Sequence, residues 1–353
     1  MSQPVFSRVG GLGLAILMLP VSAFCQQQPP AAANPQEPRT NIRVQVNEVI
    51  VPVTVTDDKN RFVSNLEQKD FRVYDEGREQ QIRFFLSSRE QKQPVVVGFI
   101  VDMSNQTRLH WKTYQDAMQE MVLNLMPVGS KSSGYLLSAG NEAELVVDTT
   151  QDPEKIVDKL GKMKPGGGVA LFDAIYNACM RRHVVAGEPF DPRRVLIILG
   201  DGNDNASKKS LQEVIEIAQR QLVTIYAMST VAFGFHSEGN DNLVRLTEKT
   251  GGRIEYPLNS LYKDVSGYLS TPSDEGNYAY KVGTGGYASE ISNGIYHAVS
   301  NIAGEITTQY ILRYIPEVAP AGNEKQFRRI KVEIANLPNV KIRAREGYYP
   351  FNP

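Results

Sequence analysis

The stretch Pro94–Trp111, PVVVGFIVDMSNQTRLHW, decides which fold is expected for this chain. Its first half is a nearly continuous apolar run. Such a run is typical of a β-strand that is buried on both faces, as in a parallel sheet covered by helices. The run ends at Asp102, and Ser104 and Gln106 follow at alternate positions. Polar residues directly after a buried strand indicate a ligand-binding edge, because ligands bind outside the carboxyl ends of the strands in such sheets.

Two further runs of the same kind lie downstream, RVLIILG at Arg194–Gly200 and LVTIYAM at Leu222–Met228. Helical patterns alternate with the strands, and a last one ends at the glycine pair Gly251-Gly252, a common helix stop. The predicted helices are at about Leu109–Leu125, Pro153–Lys162, Ala170–His183 and Ser207–Arg220. This alternation predicts a doubly wound, mainly parallel α/β domain of the Rossmann type over residues 93–307.

Both ends of the chain have the period-two pattern of half-buried strands. In NEVIVPVTVTDD, Val49 to Val55 alternate on one face, and Pro52 predicts an edge or a bulge. A hairpin is predicted to turn at Glu76-Gly77, with Ile82 and Phe84 on the returning strand. Each β segment, 41–90 and 308–353, is too short for a secure core of its own. We therefore expect them to pair as one small β domain.

A Gly-, Ser- and Tyr-rich insertion at about 260–288 interrupts the helical and strand patterns. A long segment of this composition is either disordered or a binding loop, and its tyrosines keep the second reading open. A helix is predicted to follow at about Ile291–Ile306.

The N-terminus is typical of an export signal. Arg8 precedes a short apolar run, and small residues before Ala23 or Cys25 offer a cleavage site. Lipoprotein processing at Cys25 is an alternative that Phe24 disfavours, because that signal needs a small residue there. We expect a signal peptide at 1–25, a disordered linker at 26–40 and export to the periplasm or beyond. No later apolar segment predicts an integral membrane span.

Composition narrows the classes of partner. The 353 residues include 38 Lys and Arg against 39 Asp and Glu, a formal net charge of −1. A balanced charge does not favour nucleic acid as a partner. With two cysteines, the chain is not a disulfide scaffold, and Cys179 is expected to be a buried apolar residue.

Motifs for catalysis and for other metal sites do not match. The stretch after Asp201 is similar to a calcium loop, but Ala206 and Gln212 stand where that loop needs Gly and Glu. The four histidines have no paired zinc spacing, and neither a phosphate loop nor a nucleophile elbow occurs. The sequence therefore predicts no enzyme.

Three strand-end motifs, taken in order, resemble the metal-ion-dependent adhesion site (MIDAS) of von Willebrand factor A domains. Asp102, Ser104 and Gln106 match Asp-x-Ser-x-Ser, with Gln in place of the second Ser. The loop GGGVALFDAI has Val169 where the family has Thr, and ILGDGNDN keeps Asp201. In the last motif, Gly replaces Thr at position 200. The flanking β segments resemble the exported von Willebrand factor A-related proteins first defined in Acidobacteria.

The resemblance implies a site for a divalent cation such as Mg²⁺, with Asp102, Ser104 and Asp201 as ligands. It implies a site that is degenerate at Gln106 and Val169, since valine offers no oxygen. The alternative reading is that both aspartates only cap helices and bind loop backbone. The partner-binding loops would carry Asp102, Ser104, Gln106, Gly167, Gly168 and Asp201.

The function implied is an exported protein-binding or adhesion module with an unidentified protein partner. Two alternatives remain. A structural subunit of an envelope assembly would make its contacts through exposed edge strands. A hydrolase would use the acidic edge, although the sequence offers it no clear nucleophile.

Overall fold

The computed structural model describes residues 48–87, 94–181, 192–231, 237–258, 275–316, 326–335, 337 and 339–350, with the backbone alone for 275–287. The predicted signal peptide and linker lie outside these residues, as does most of the predicted insertion. Residues 46–353 form one compact unit. Within the described residues, no helix is both long and apolar enough to cross a membrane.

The strands are β1 (Val49–Thr56), β2 (Phe71–Asp75), β3 (Arg78–Gln80), β4 (Ile82–Leu86), β5 (Val95–Asp102), β6 (Ser133–Ala139), β7 (Ala143–Thr150), β8 (Arg193–Gly200), β9 (Val223–Ser229), β10 (Ile254–Glu255), β11 (Tyr310–Tyr314), β12 (Arg328–Ile334), β13 (Lys341–Arg343) and β14 (Gly347–Tyr348). The helices are α1 (Trp111–Leu125), α2 (Pro153–Lys162), α3 (Leu171–Met180), α4 (Leu211–Arg220), α5 (Glu238–Thr250) and α6 (Glu275–Thr308), with short 3₁₀ helices at Gln68–Asp70 and Asn105–Arg108.

A six-stranded sheet with the order β10-β9-β8-β5-β6-β7 forms the centre of the unit. All its neighbours are parallel except β6 and β7. Val97 and Phe99 of β5 pack in one apolar cluster with α1 and α6, and Val96 and Ile100 pack in a second cluster with α3 and α4. The predicted doubly wound α/β fold is confirmed.

Helix ends follow local capping chemistry. Helix α2 begins with Pro153 after Asp152, whose carboxylate accepts the Glu154 N–H at 3.1 Å. Ser210 and Glu213 form a capping box, so α4 begins at Leu211 rather than at the predicted Ser207. Helix α5 ends at Gly251, whose φ of 84° is left-handed, as the glycine pair predicts.

Strands β6 and β7 and the start of helix α6 differ from the sequence-based expectation. Strands β6 and β7 were not predicted, because β6 contains Ser and Gly and β7 is a partly exposed, charged edge strand. Helix α6 begins at Glu275 instead of about Ile291, so it extends into the predicted insertion. Extending a helix is easier than nucleating one, so the docked segment after Ile291 can propagate the helix backwards through a sequence without periodicity.

The two terminal β segments pair with each other, as the sequence predicts. Strand β1 pairs with β11 and β13, and β2 pairs with β12. The hairpin prediction was wrong in one respect: the strand that returns from the Glu76-Gly77 turn is β3. Ile82 and Phe84 lie on β4, which pairs with β11 in the other sheet. The single residue between β3 and β4 hid this change of sheet in the sequence pattern.

The pairing of strand β1 accommodates the proline within it. Pro52 lies opposite Ile311 of β11, while β13 pairs only with Thr54–Thr56. Within the described residues, β1 is therefore an edge at Pro52 and an interior strand after it, as the proline predicts. All eight β1 residues are buried, although the alternation predicted one buried face. Thr54 is buried because its hydroxyl donates to Glu305 of α6.

Glu305 is the centre of a buried polar network that joins the β domain to the central sheet. Its side chain is fully buried and accepts hydrogen bonds from Thr54 of β1 (3.0 Å), Tyr226 of β9 (3.2 Å) and Arg343 of β13. Arg253 lies 3.5 Å from it. One carboxylate thus contacts three strands that are distant in sequence and belong to two sheets.

We predict that Glu305→Gln destabilises the protein by roughly 2–3 kcal/mol. Removing one partner of a buried ion pair leaves an uncompensated charge, and the partial exposure of Arg343 lowers the cost somewhat. Urea unfolding measures the change. The matched control is Glu333→Gln on the surface, where Lys331 is 2.6 Å away and the unfolding midpoint should hardly move. Equal effects of the two substitutions would contradict the role given to Glu305.

Candidate functional site

The two predicted acidic residues lie at the point where the order in which strands are added to the sheet reverses. From β5 the chain proceeds to β6 and β7 on one side, and from β8 it proceeds to β9 and β10 on the other. Asp102 is the last residue of β5, and Asp201 follows β8 directly. Because β5 and β8 are parallel neighbours, both residues lie at the same edge. Such a switch point is where open α/β sheets bind ligands.

Asp102 is fully buried and only half satisfied. Its Oδ1 accepts the Ser104 N–H at 2.7 Å. Its Oδ2 is buried and completes no hydrogen bond. Burial raises the pKa of the Asp102 carboxyl to about 6; the Ser104 amide opposes this rise and the charge of Asp201 adds to it. The Ser104 hydroxyl and the Asp201 amide are near enough to favour the charged form slightly, but neither reaches hydrogen-bonding geometry with Oδ2.

The residues after Asp102 divide into buried and exposed ones. Ser104 is buried, and its hydroxyl has no hydrogen-bond partner. Gln106, which the motif match places at the site, is exposed to solvent. Thr107 is fully buried, and its hydroxyl is also without a partner. Sequence reasoning missed Thr107 because the family motif places the second hydroxyl at position 106.

The glycine-rich loop is bound to both neighbouring loops. The Gly166 N–H donates to the Met103 carbonyl at 2.7 Å, and the Gly168 N–H donates to Asn141 Oδ1 at 2.7 Å. Gly167 has a φ of 129°, which favours glycine. Val169 packs in the apolar cluster that contains α3 and α4. The structure thus brings Gly167 and Gly168 to the edge, whereas the Val169 side chain lies in the core.

Asn205 joins the glycine-rich loop to the loop after β8. Its Oδ1 accepts the Val169 N–H at 2.9 Å, and its own N–H donates to the Val169 carbonyl at 3.0 Å. Asp204 accepts the Phe172 N–H at 2.8 Å and so satisfies a free donor in the first turn of α3. Sequence reasoning missed both residues. The signal was available in DGNDN, since Asn and Asp are the residues that bind loop backbone.

Asp201 is engaged by its own loop. Its Oδ1 accepts the Asn203 N–H at 2.9 Å, and its Oδ2 accepts the Asn203 side-chain amide at 2.7 Å. This is the backbone-binding role that the alternative reading assigned to it. Its charge still acts on Asp102, so Asp201 contributes negative potential to the edge although both oxygens already have a partner.

Gly200 leaves room for the Asp102 side chain. A Cβ added at Gly200 would lie 2.6 Å from Asp102 Cβ and 2.9 Å from its Oδ2. The threonine that the family has at this position therefore cannot stand here unless Asp102 moves. The substitution of Gly for Thr is part of how the Asp102 carboxylate is placed.

The buried oxygens decide whether a divalent cation fits this edge. Mg²⁺ and similar hard cations bind oxygen ligands and keep several waters. Asp102 Oδ2, Ser104 Oγ and Thr107 Oγ1 are buried oxygens without partners, which is the donor type required. Val169 provides none. In the part of the chain that the structure describes, no group of three or more His, Cys, Asp or Glu could hold a metal ion. The residues fit a hard cation held mainly by the first loop, with water completing the shell.

Comparisons with known proteins concern the fold. No family model and no curated protein match the sequence. The fold is similar to proximal thread matrix protein 1 from the mussel byssus (16% identity, TM-score 0.39, covering 49% of this chain and 47% of that one). It is also similar to the vWF domain of the type V pili tip protein Mfa5 from Porphyromonas gingivalis (19% identity, TM-score 0.28, covering 33% of this chain and 40% of that one). A third similar structure is that of BatB from Bacteroides thetaiotaomicron (15% identity, TM-score 0.35, covering 57% of this chain and 98% of that one). The matches span less than half the length of the first two chains, and the assignment of fold here rests on the strand order itself.

We predict that Gly200→Ala destabilises the protein by about 1–3 kcal/mol, the usual cost of overpacking a closed site. The clash is with Asp102 Cβ, which cannot move without its backbone. Gly140→Ala is the matched control at the same edge, because its added Cβ would meet nothing closer than 3.8 Å. Thermal or urea unfolding compares the two variants. A neutral Gly200→Ala would show that Asp102 is free to relocate.

We also predict that Asp102→Asn stabilises the protein in metal-free buffer at neutral pH. The amide removes a buried charge and its repulsion by Asp201. A pKa raised from 3.8 to about 6 corresponds to roughly 1–3 kcal/mol at about 1.4 kcal/mol per unit. Differential scanning calorimetry in chelator measures the effect, with Asp116→Asn, whose side chain on α1 is partly exposed, as the control. Destabilisation would mean that the carboxylate is held by favourable contacts instead.

Proposed function

We propose that this protein is an exported protein-binding module of the von Willebrand factor A type, and not an enzyme. The observation that carries the proposal is the buried, half-satisfied Asp102 carboxylate at the switch point of the sheet. A folded protein rarely leaves such an oxygen without a partner, and each exception calls for an explanation. A bound ligand at this edge is an explanation that also fits its position.

We further propose that this edge binds a divalent cation. Asp102 and Ser104 would hold it through oxygen atoms, with the charge of Asp201 nearby. When bound, the ion would supply an open coordination position to which a carboxylate of the partner protein can bind. Exposed neighbours at the edge, among them Asn105 and Gln106, would then contact the rest of the partner. The site is degenerate relative to the family motif at positions 106 and 169.

A non-enzymatic role is supported by the chemistry of the edge. The side chains that surround Asp102 are hydroxyls, amides and carboxylates that bind loop backbone. Among the edge residues described above, none forms a nucleophile and base pair of the kind that covalent catalysis requires. Asn205 and Asp204 already accept backbone N–H groups of Val169 and Phe172, and so join the loop after β8 to the glycine-rich loop and the start of α3.

Site-specific photo-crosslinking tests the recognition surface. A photoreactive residue is placed at exposed Gln106 on the loop edge, at exposed Glu79 on edge strand β3, and at exposed Lys159 on α2 as the control. We expect adducts with one protein at Gln106 and none at Lys159 when the full chain is expressed in the cells that export it. Adducts at Glu79 instead would support a structural subunit that binds through its edge strands, and would contradict the proposal.

Calorimetric titration tests the cation. We expect the protein to bind Mg²⁺ or Mn²⁺, and we expect Asp102→Ala to lose that binding because it removes the charged ligand. Asp116→Ala on the surface of α1 should bind like the wild type. No binding of Mg²⁺, Mn²⁺ or Ca²⁺ by the wild type would remove the cation from the proposal. The crosslinking pattern would then decide whether the loops bind a partner by shape and hydrogen bonds alone.

A further inference from the structure

The 3₁₀ helix at Asn105–Arg108 determines which side chains after Asp102 turn inward. A 3₁₀ helix has three residues per turn, so residues three apart lie on the same face. Ser104 is the N-terminal capping position of this turn, and the Thr107 N–H donates to the Ser104 carbonyl at 3.3 Å. Ser104 and Thr107 therefore share a face. Gln106 lies on a different face and is exposed.

The hydroxyl of Thr107 is unusual among the buried threonines of this protein. Threonines in helical turns commonly donate to a carbonyl three or four residues earlier. The buried Thr247 and Thr250 do so here, at 2.9 and 2.8 Å, and so does the half-buried Thr307, at 2.9 Å. Thr107 is fully buried and makes no such bond. A buried hydroxyl without a partner costs roughly 1–3 kcal/mol, so a valine would be the more stable residue unless the oxygen binds something.

Three unpartnered buried oxygens thus come from one six-residue segment. They are Asp102 Oδ2, Ser104 Oγ and Thr107 Oγ1. Thr149 and Thr230 have similar hydroxyls, but Thr149 lies on edge strand β7, and Thr230 follows β9, on the far side of β8 from β5. The other motif positions that could supply a hydroxyl are occupied by Val169 and Gly200.

We propose that Thr107, rather than Gln106, supplies the missing hydroxyl ligand of a hard divalent cation held with Asp102 and Ser104. The inference rests on the cation of the proposed function. The motif is then not simply incomplete in its first loop. The second hydroxyl has moved one residue along the sequence, and the 3₁₀ turn brings it to the face that the Ser104 hydroxyl shares.

Manganese titration of the full chain tests this ligand by calorimetry and by electron paramagnetic resonance. Thr107→Val is nearly isosteric and removes only the hydroxyl. It should weaken Mn²⁺ binding by about tenfold or more. Loss of a group that only supports a metal ligand already costs about that much affinity, and loss of a ligand should cost at least as much. Thr107→Ser keeps the oxygen and should bind within a factor of about three of the wild type. Gln106→Ala should bind like the wild type.

Melting in chelator separates binding from folding. Thr107→Val should melt at or above the temperature of the wild type, because the orphan hydroxyl is gone. Should it fail to fold, Thr107→Ala and Thr107→Ser give the same comparison. The double variant Gln106→Ser/Thr107→Val returns the hydroxyl to the family position, and it should remain as weak as Thr107→Val.

Two results would overturn the inference. The first is Mn²⁺ affinity that is unchanged in Thr107→Val, whether or not Gln106→Ala loses it. The second is recovery of affinity in the double variant. Both leave the proposed function standing, since the wild type would still bind the ion. A wild type that binds no Mn²⁺ would overturn the inference together with the cation, whereas crosslinking at Gln106 tests the partner surface separately.

Discussion

The parallel pairing of β5 with β8 is the constraint on which both the fold and the candidate site depend. In the described part of the central sheet, the order in which strands are added reverses only between these two strands, and their pairing brings Asp102 and Asp201 to one edge. Two carboxylates this close raise the electrostatic cost of the folded state. Gly200 accepts the Asp102 side chain at a distance that no other residue could tolerate. The position of the two aspartates, their mutual repulsion and the space for the Asp102 side chain therefore all follow from the pairing of β5 with β8.

The β domain is also joined to the central sheet, through residues away from the candidate site. Its strands come from both ends of the chain, so neither segment completes a sheet alone. Glu305 binds Thr54, Tyr226 and Arg343, which come from β1, β9 and β13. Buried ion pairs add little net stability, yet they penalise any arrangement that leaves one partner unpaired. Glu305 thus favours one arrangement of β domain and sheet over alternatives with equal apolar burial.

Much of the fold follows from periodicity, and the failures have local causes. Buried strands such as Val95–Asp102 are recognisable because both faces are apolar, and capped helices such as Pro153–Lys162 match their predicted bounds. Strands β6 and β7 lack either signal. The site was less predictable. Motif matching pointed to Asp102 and Ser104, which the structure shows to be buried with unpartnered oxygens. The inward face of the next turn depends on whether it is 3₁₀ or extended, and residue spacing alone does not determine that. Thr107 was missed for this reason.

The changes from the family motif at this edge are related to one another. Val169 lies in the apolar cluster, and Asn205 binds both its backbone N–H and its carbonyl, so the glycine-rich loop is closed by hydrogen bonds rather than by a hydroxyl ligand. Asp201 is likewise held by Asn203. The groups named in the glycine-rich loop and in the loop after β8 thus find their hydrogen-bond partners within these two loops. At this edge, the unsatisfied buried oxygens lie in the segment from Asp102 to Thr107. A site built this way would bind a cation from one side of the switch point and leave the opposite side open to water or to a partner's carboxylate.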